Sequence, residues 1–239
     1  MVSLRRRLFA EFLGCLFLAA TVVGSGIAAQ TLSPHDVGLQ LTENALATAL
    51  ALFVLIAVLA PISGAHFNPI ISIVDAALGR RPWRDVPGYA AVQVIGCAAG
   101  VMLANLMFGH PAVSISGHAR LSPAHLLAEV VATAGLVMIV FVLARFDRER
   151  LAPAAVAAYI GAAYLFTSST SFANPAITVA RIASNTFAGI DPASAAGFIV
   201  AQLAGGVAGY LLVRALVPAQ TRAPALDQEG ARRGRVKPS

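Results

Sequence analysis

The chain has 239 residues, 58% of them hydrophobic and 12% charged, with a mean hydropathy of +0.76 and a formal net charge of +6. So little polar surface excludes a soluble globule of this size and marks a membrane protein. The sequence pI near 10.1 does not point to nucleic acid: the arginines border apolar segments, where topology and anionic headgroups account for them, and no groove-reading motif accompanies them.

Stretches without Asp, Glu, Lys or Arg run over 12–35, 44–72, 86–119, 130–144, 151–180 and 192–213. Each approaches or exceeds the roughly 20 apolar residues that a spanning helix needs. The first follows Arg5, Arg6 and Arg7, but it is too long for a signal-peptide core and lacks a cleavage site, so it is expected to remain as a span. Of the 17 Lys and Arg residues, all but Arg120 and Arg181 fall into Arg5 to Arg7, Arg80 to Arg84, Arg145 to Arg150 and the region from Arg214 onwards. The positive-inside rule places those clusters in the cytoplasm and both termini with them, which requires an even number of spans, and six fit. The location implied is the inner, plasma membrane. Cys15 and Cys97 fall within spans, so packing rather than a disulfide is expected of them. No metal-ligand spacing is present, and no cofactor is expected. The segment 218–239, rich in Ala, Arg, Pro and Gly, lacks apolar periodicity and reads as a disordered basic cytoplasmic tail.

The second half of the chain repeats the first. Ala10-Glu11 in the first span matches Ala128-Glu129 in the fourth, Asn68-Pro69 matches Asn174-Pro175, and "QVIGCAAG" (93–100) matches "QLAGGVAG" (202–209) with Gln and both glycines in register. The repeats cover about 8–108 and 122–217 within a channel domain of 1–217. Three spans per repeat force the halves to enter the membrane in opposite directions, a design that puts a functional site at the midplane. The shared small residues are expected to let helices approach closely.

Asn-Pro inside an apolar run has its own consequence. Asparagine is a favoured N-cap and proline suits the first helical turn, so Asn68-Pro69 and Asn174-Pro175 each start a helix. About a dozen residues follow Asn68 and about ten follow Asn174, too few to cross a bilayer. Each is therefore expected to be a re-entrant half-helix, entered through "PISGAHF" or "TSSTSFA", segments whose irregular backbone must line a water-filled path instead of lipid. In an inverted repeat the two helix N-termini meet near the centre. Their positive dipole ends and the Asn amides welcome a neutral hydroxylated solute and oppose a cation.

From about Phe9 to Val217 the chain resembles the aquaporin and glycerol-facilitator family, the major intrinsic proteins. "SGAHFNPI", with Asn68, Pro69 and Ile70, is similar to the family's first signature, and "FANPA", with Asn174, Pro175 and Ala176, to its second. The resemblance implies an all-α membrane fold of six transmembrane helices and two half-helices, a homotetramer with a pore in each subunit, and no enzymatic activity. Glu11 and Glu129 match the family's buried glutamates, which brace the re-entrant loops by accepting backbone N–H bonds. A proton-carrying role in a coupled transporter is the competing use of such carboxylates. His66, two residues before Asn68, is expected to bond loop backbone as a neutral ring, with gating of the cytoplasmic mouth as the alternative.

The family's narrow point is carried over by spacing from the two asparagines: Thr48 in span two, Ala162 in span five, and Ser171 and Ile177 around Asn174. The last place is usually arginine, and here it is isoleucine. Water-selective members pair that arginine with a bulky aromatic and often a histidine. Thr48 and Ala162 in those places imply a wider, less cationic constriction that favours larger polyols and uncharged acids. The competing expectation is that Tyr159, Tyr164 or Phe166 refills the gap and keeps the pore water-selective. Arg181, one turn beyond Ile177 on the same helical face, is expected to stand at the outer vestibule and supply charge that position 177 lacks, or else to snorkel to headgroups. The wording around the second signature also resembles a bacterial subgroup associated with arsenic-resistance operons, which implies passage of arsenite or methylated arsenicals. Three other readings compete with a passive channel. An ion-coupled transporter predicts uphill uptake, and a nonconducting scaffold predicts no permeability. An enzyme lacks a nucleophile with a base, a metal cluster and a phosphate-cradling loop.

Overall fold

Local caps set where the helices begin. The computed structural model describes residues 2–217, so the tail expected over 218–239 lies outside the described residues. Four helices start at a capping residue followed by proline: α3 (Pro69–Ala77) at Asn68, α5 (Pro123–Arg145) at Ser122, α7 (Pro175–Ala180) at Asn174 and α8 (Pro192–Leu216) at Asp191. In each, the capping side chain accepts an N–H of the first turn while proline spends no donor there. The remaining helices are α1 (Leu4–Leu32), α2 (Val37–Ser63), α4 (Val86–Met107) and α6 (Ala152–Phe166). Thus α3, with nine residues, and α7, with six, are the two short helices expected from the Asn-Pro motifs.

Among the described residues, five helices are long and apolar enough to cross a membrane: α1, α2, α4 with its preceding turn, α5 and α8. The sixth span, expected within 151–180, is answered by α6, whose 15 residues fall short of the ~20 needed. The chain reaches it through a short 3₁₀ turn, Glu149–Leu151. The burial pattern is that of a multi-pass membrane protein. Phe9, Leu50, Val58, Leu127 and Val200 are exposed, whereas Glu11, Glu129, Gln93 and Gln202 are fully buried.

Packing follows the repeat. α1 lies along α2 and α4 just as α5 lies along α6 and α8, α2 meets α6 across the middle, and each half-helix packs on both α4 and α8. Glycines set the closeness. A methyl group at Gly100 would come within 2.2 Å of the Leu16 carbonyl oxygen, and at the matching Gly209 within 2.6 Å of Val137 Cβ. Gly96 and Gly205 likewise abut the Phe12 and Val130 carbonyls. Gly100→Ala must therefore push α1 and α4 apart and is expected to cost about 1–3 kcal/mol, the usual penalty of overpacking. Gly117→Ala, with nothing within 4 Å, is the control and should stay within about 0.5 kcal/mol of the parent. Thermal unfolding in detergent compares the two.

One end of the bundle carries Arg7 paired with Asp85 and Arg80 paired with Glu149. At the opposite end the α4–α5 connector meets the segment after α7, through Ser114 N–H to the Ala183 carbonyl (3.0 Å) and Ser116 N–H to the Ile182 carbonyl (2.8 Å).

Candidate pore and its constriction

The two half-helices are assembled by one hydrogen-bond scheme used twice. Glu11 accepts the backbone N–H groups of His66 (2.9 Å) and Phe67 (2.7 Å), the Ser63 hydroxyl (2.6 Å) and the Gln93 amide (2.8 Å). Glu129 accepts those of Phe172 (2.9 Å) and Ala173 (2.8 Å), the Ser169 hydroxyl (2.6 Å) and the Gln202 amide (2.7 Å). Gln93 also donates to Ser72, and Gln202 to Thr178, so the glutamine of each "QxxG" motif ties the buried carboxylate to the half-helix. A carboxylate in an apolar interior is costly unless it is filled with donors, and here each has four.

These bonds hold the entry loops in an uncommon backbone shape. Ala65 and Phe67 in the first loop and their repeat partners Ser171 and Ala173 in the second all have φ near +50°. Such left-handed turns at residues with a Cβ cost of order 1 kcal/mol or more each and persist only where surroundings impose them.

At the centre the asparagines interlock. Asn68 Nδ2 donates to the Ala173 carbonyl (2.8 Å) and Asn174 Nδ2 to the Phe67 carbonyl (2.7 Å), while each Oδ1 caps its own helix. One amide N–H of each therefore stitches the two repeats together, and the other remains for whatever occupies the space. Ile70, in the first signature, is buried with its side chain toward Gly206 of α8. Ala176 is buried in the core.

That space is one cavity of about 620 Å³, lined at one end by Arg80, Arg81 and Glu149, in the middle by Asn68 and Asn174, and at the other end by Thr48, Ile177 and Arg181. Ser171 also lines it, with its hydroxyl buried and unpartnered.

Two expectations about individual residues are corrected. Ala162 is exposed on the outer face of α6 and does not reach the cavity; Val156, Ile160 and Tyr164, spaced by four residues, do. At 100° per residue, position 162 points away from the face that carries 160 and 164. Tyr164 stands where the smaller residue was expected, its hydroxyl 3.4 Å from Thr48 Oγ1. His66 braces its loop through its own N–H to Glu11, not through its ring. The ring bonds the Ser72 hydroxyl (3.0 Å) and lies 3.3 Å from Arg81 Nη2. The carbonyl of Ser63, at the end of α2, accepts from the Tyr89 hydroxyl and from Arg81.

Phe172 was not among the sequence candidates. It lines the cavity, and its ring receives the Arg181 guanidinium 3.5 Å from the ring centroid. Its repeat partner is His66, each two residues before its asparagine, so the register of the repeat marks the position even though composition does not.

Paired half-helices meeting at one cavity lined from both repeats are the arrangement of a channel-type multi-pass membrane protein. The family model for major intrinsic proteins matches residues 1–173. The chain is 48% identical over 215 residues to the aquaglyceroporin AqpS of Rhizobium meliloti (strain 1021), covering 90% of this chain and 91% of that one. It is 34% identical over 185 residues to aquaporin NIP1-3 of Oryza sativa subsp. japonica, covering 74% and 63% respectively. The fold matches the X-ray structure of the aquaglyceroporin from Plasmodium falciparum with a TM-score of 0.66 at 20% identity, over 89% of this chain and 95% of that one. The chain belongs to the major intrinsic protein family.

Proposed function

We propose that this protein is a passive channel for small neutral solutes, of the glycerol class, together with water. The observation that carries the reading is the single cavity passing both asparagines, whose wall offers hydroxyls from Thr48, Tyr164 and Ser171 but isoleucine at position 177. Flux runs down whichever gradient exists. The paired glutamates have every oxygen occupied by donors, which supports a bracing role over proton coupling. The likeness to AqpS, by name an aquaglyceroporin, supports solute passage in addition to water. Arsenous acid, neutral at pH 7 and hydroxylated, fits the same chemistry and is part of this reading. So are a homotetramer in the inner membrane and the arginine-rich end facing the cytoplasm.

The test is stopped-flow light scattering on proteoliposomes, with wild type beside Ile177→Arg and arsenite uptake in the same preparations. Wild type is expected to pass glycerol and arsenite, and the arginine variant to keep water while losing at least about tenfold in glycerol permeability, a barrier change of about 1.4 kcal/mol. Wild type that passes water alone overturns the solute reading, with the ring of Tyr164 closing the constriction instead.

A further inference from the structure

Arg181 is 2% exposed, yet it lines the cavity. Its Nε donates to the Ala188 carbonyl, and its two terminal nitrogens have no protein acceptor among the described residues. The ion pairs of the described residues lie around Asp75, Asp85 and Glu149 and none includes Arg181 or Arg120. The guanidinium is thus a buried positive charge whose free N–H groups face the pore.

Its position is built. Phe172 supplies the ring on which it lies, and Phe198 meets that ring edge-on, centroids 5.3 Å apart. From the α4–α5 connector, Arg120 reaches the same ring at 5.5 Å and donates to the carbonyls of Gly189 (2.8 Å) and Phe187 (2.9 Å). Arg120 and Arg181 therefore grip three consecutive carbonyls, at 187, 188 and 189, and fix the segment that frames this end of the pore. Stacking of a guanidinium on an aromatic face holds its plane without consuming its donors.

We propose that Arg181, positioned by Phe172, is the charge-selecting residue of this channel and takes the electrostatic role that Ile177 leaves vacant. The proposal rests on the channel reading above and deepens it. Size and charge selection are then carried by separate side chains: the wall of Thr48 and Tyr164 sets the width, and a guanidinium one turn farther along repels cations. A protonated guanidinium in a low-dielectric wall acts on passing ions far more strongly than it would in water. Position 177 is thereby free to be apolar without opening the pore to protons or sodium.

The experiment measures proton leak, with a pH dye inside proteoliposomes under an imposed potential, and glycerol flux in the same preparations. In Arg181→Gln, which keeps a donor for the Ala188 carbonyl, and in Arg181→Ala, the proton leak should rise at least about tenfold while glycerol flux persists. Phe172→Leu, which retains the arginine but loses its platform, should raise the leak by a smaller factor. Ile177→Arg added to Arg181→Ala should bring the proton leak back toward wild type, whatever it does to glycerol flux. A proton leak within about twofold of wild type in both Arg181 variants overturns the proposal. Loss of glycerol flux in both variants, with no extra leak, also overturns it and makes Arg181 a brace for the 187–189 segment. A wild-type protein that passes no glycerol is instead a failure of the channel reading.

Discussion

Glu129→Ala is expected to abolish recovery of folded protein. The substitution strands two backbone N–H groups, those of Phe172 and Ala173, together with the Ser169 hydroxyl and the Gln202 amide, all in the interior. An unsatisfied buried donor costs about 1–3 kcal/mol, so four of them approach the 5–15 kcal/mol that typically holds a protein folded. The positive-φ residues Thr170, Ser171 and Ala173 depend on the same carboxylate for their shape, and their release lets the loop relax. Glu129→Gln keeps one acceptor oxygen but turns an NH₂ toward donors, and it should fall between the two. Size-exclusion profiles and melting temperatures in detergent read the series, with Glu11→Ala as the mirror experiment through Ser63, His66, Phe67 and Gln93. A Glu129→Ala protein that elutes and melts as wild type would show that the carboxylate is not what holds the loop.

What the sequence made legible was whatever local chemistry enforces. Asn-Pro at 68 and 174 starts a helix wherever it stands, and too few residues follow either motif for a span, so α3 and α7 could be read directly. The matching of Glu11 with Glu129 and of Gln93 with Gln202 was legible because the same bonds are made twice. Residues at the constriction were harder. Counting back from Asn174 crosses the loop 167–173, whose left-handed residues set which face of α6 looks inward, and a two-residue error turns the choice by more than half a helical circle. That is how Ala162 was expected where Tyr164 stands. Arg181 was reachable because the count from Ile177 stays on consecutive helical residues. Its support from Phe172 and Arg120 was not, since those contacts link segments far apart in the chain.

Tyr164 carries the second large effect. Its ring is 3% exposed and lines the cavity opposite Thr48, so Tyr164→Ala removes the bulkiest uncharged side chain of the constriction while leaving Arg181 and Phe172 in place. Permeability to four- and five-carbon polyols should rise by about tenfold relative to water, equivalent to a barrier lowered by about 1.4 kcal/mol. Tyr164→Phe separates ring from hydroxyl. It keeps the width but removes a hydrogen-bonding partner in a place where a passing polyol has shed its water, so glycerol flux should fall relative to water while exclusion of larger polyols persists. The two variants therefore move size and polarity selection in different directions, which swelling traces with glycerol, erythritol and xylitol distinguish. If Tyr164→Ala leaves the xylitol-to-water ratio within about twofold of wild type, the narrowest point lies at the interlocked Asn68 and Asn174. The cross-repeat bonds of those residues to the Ala173 and Phe67 carbonyls would then set the width. If the ratio rises as expected while proton leak stays low, width and charge are controlled by different residues, because the guanidinium that repels cations is anchored to Phe172 and the Ala188 carbonyl and not to the ring that was removed.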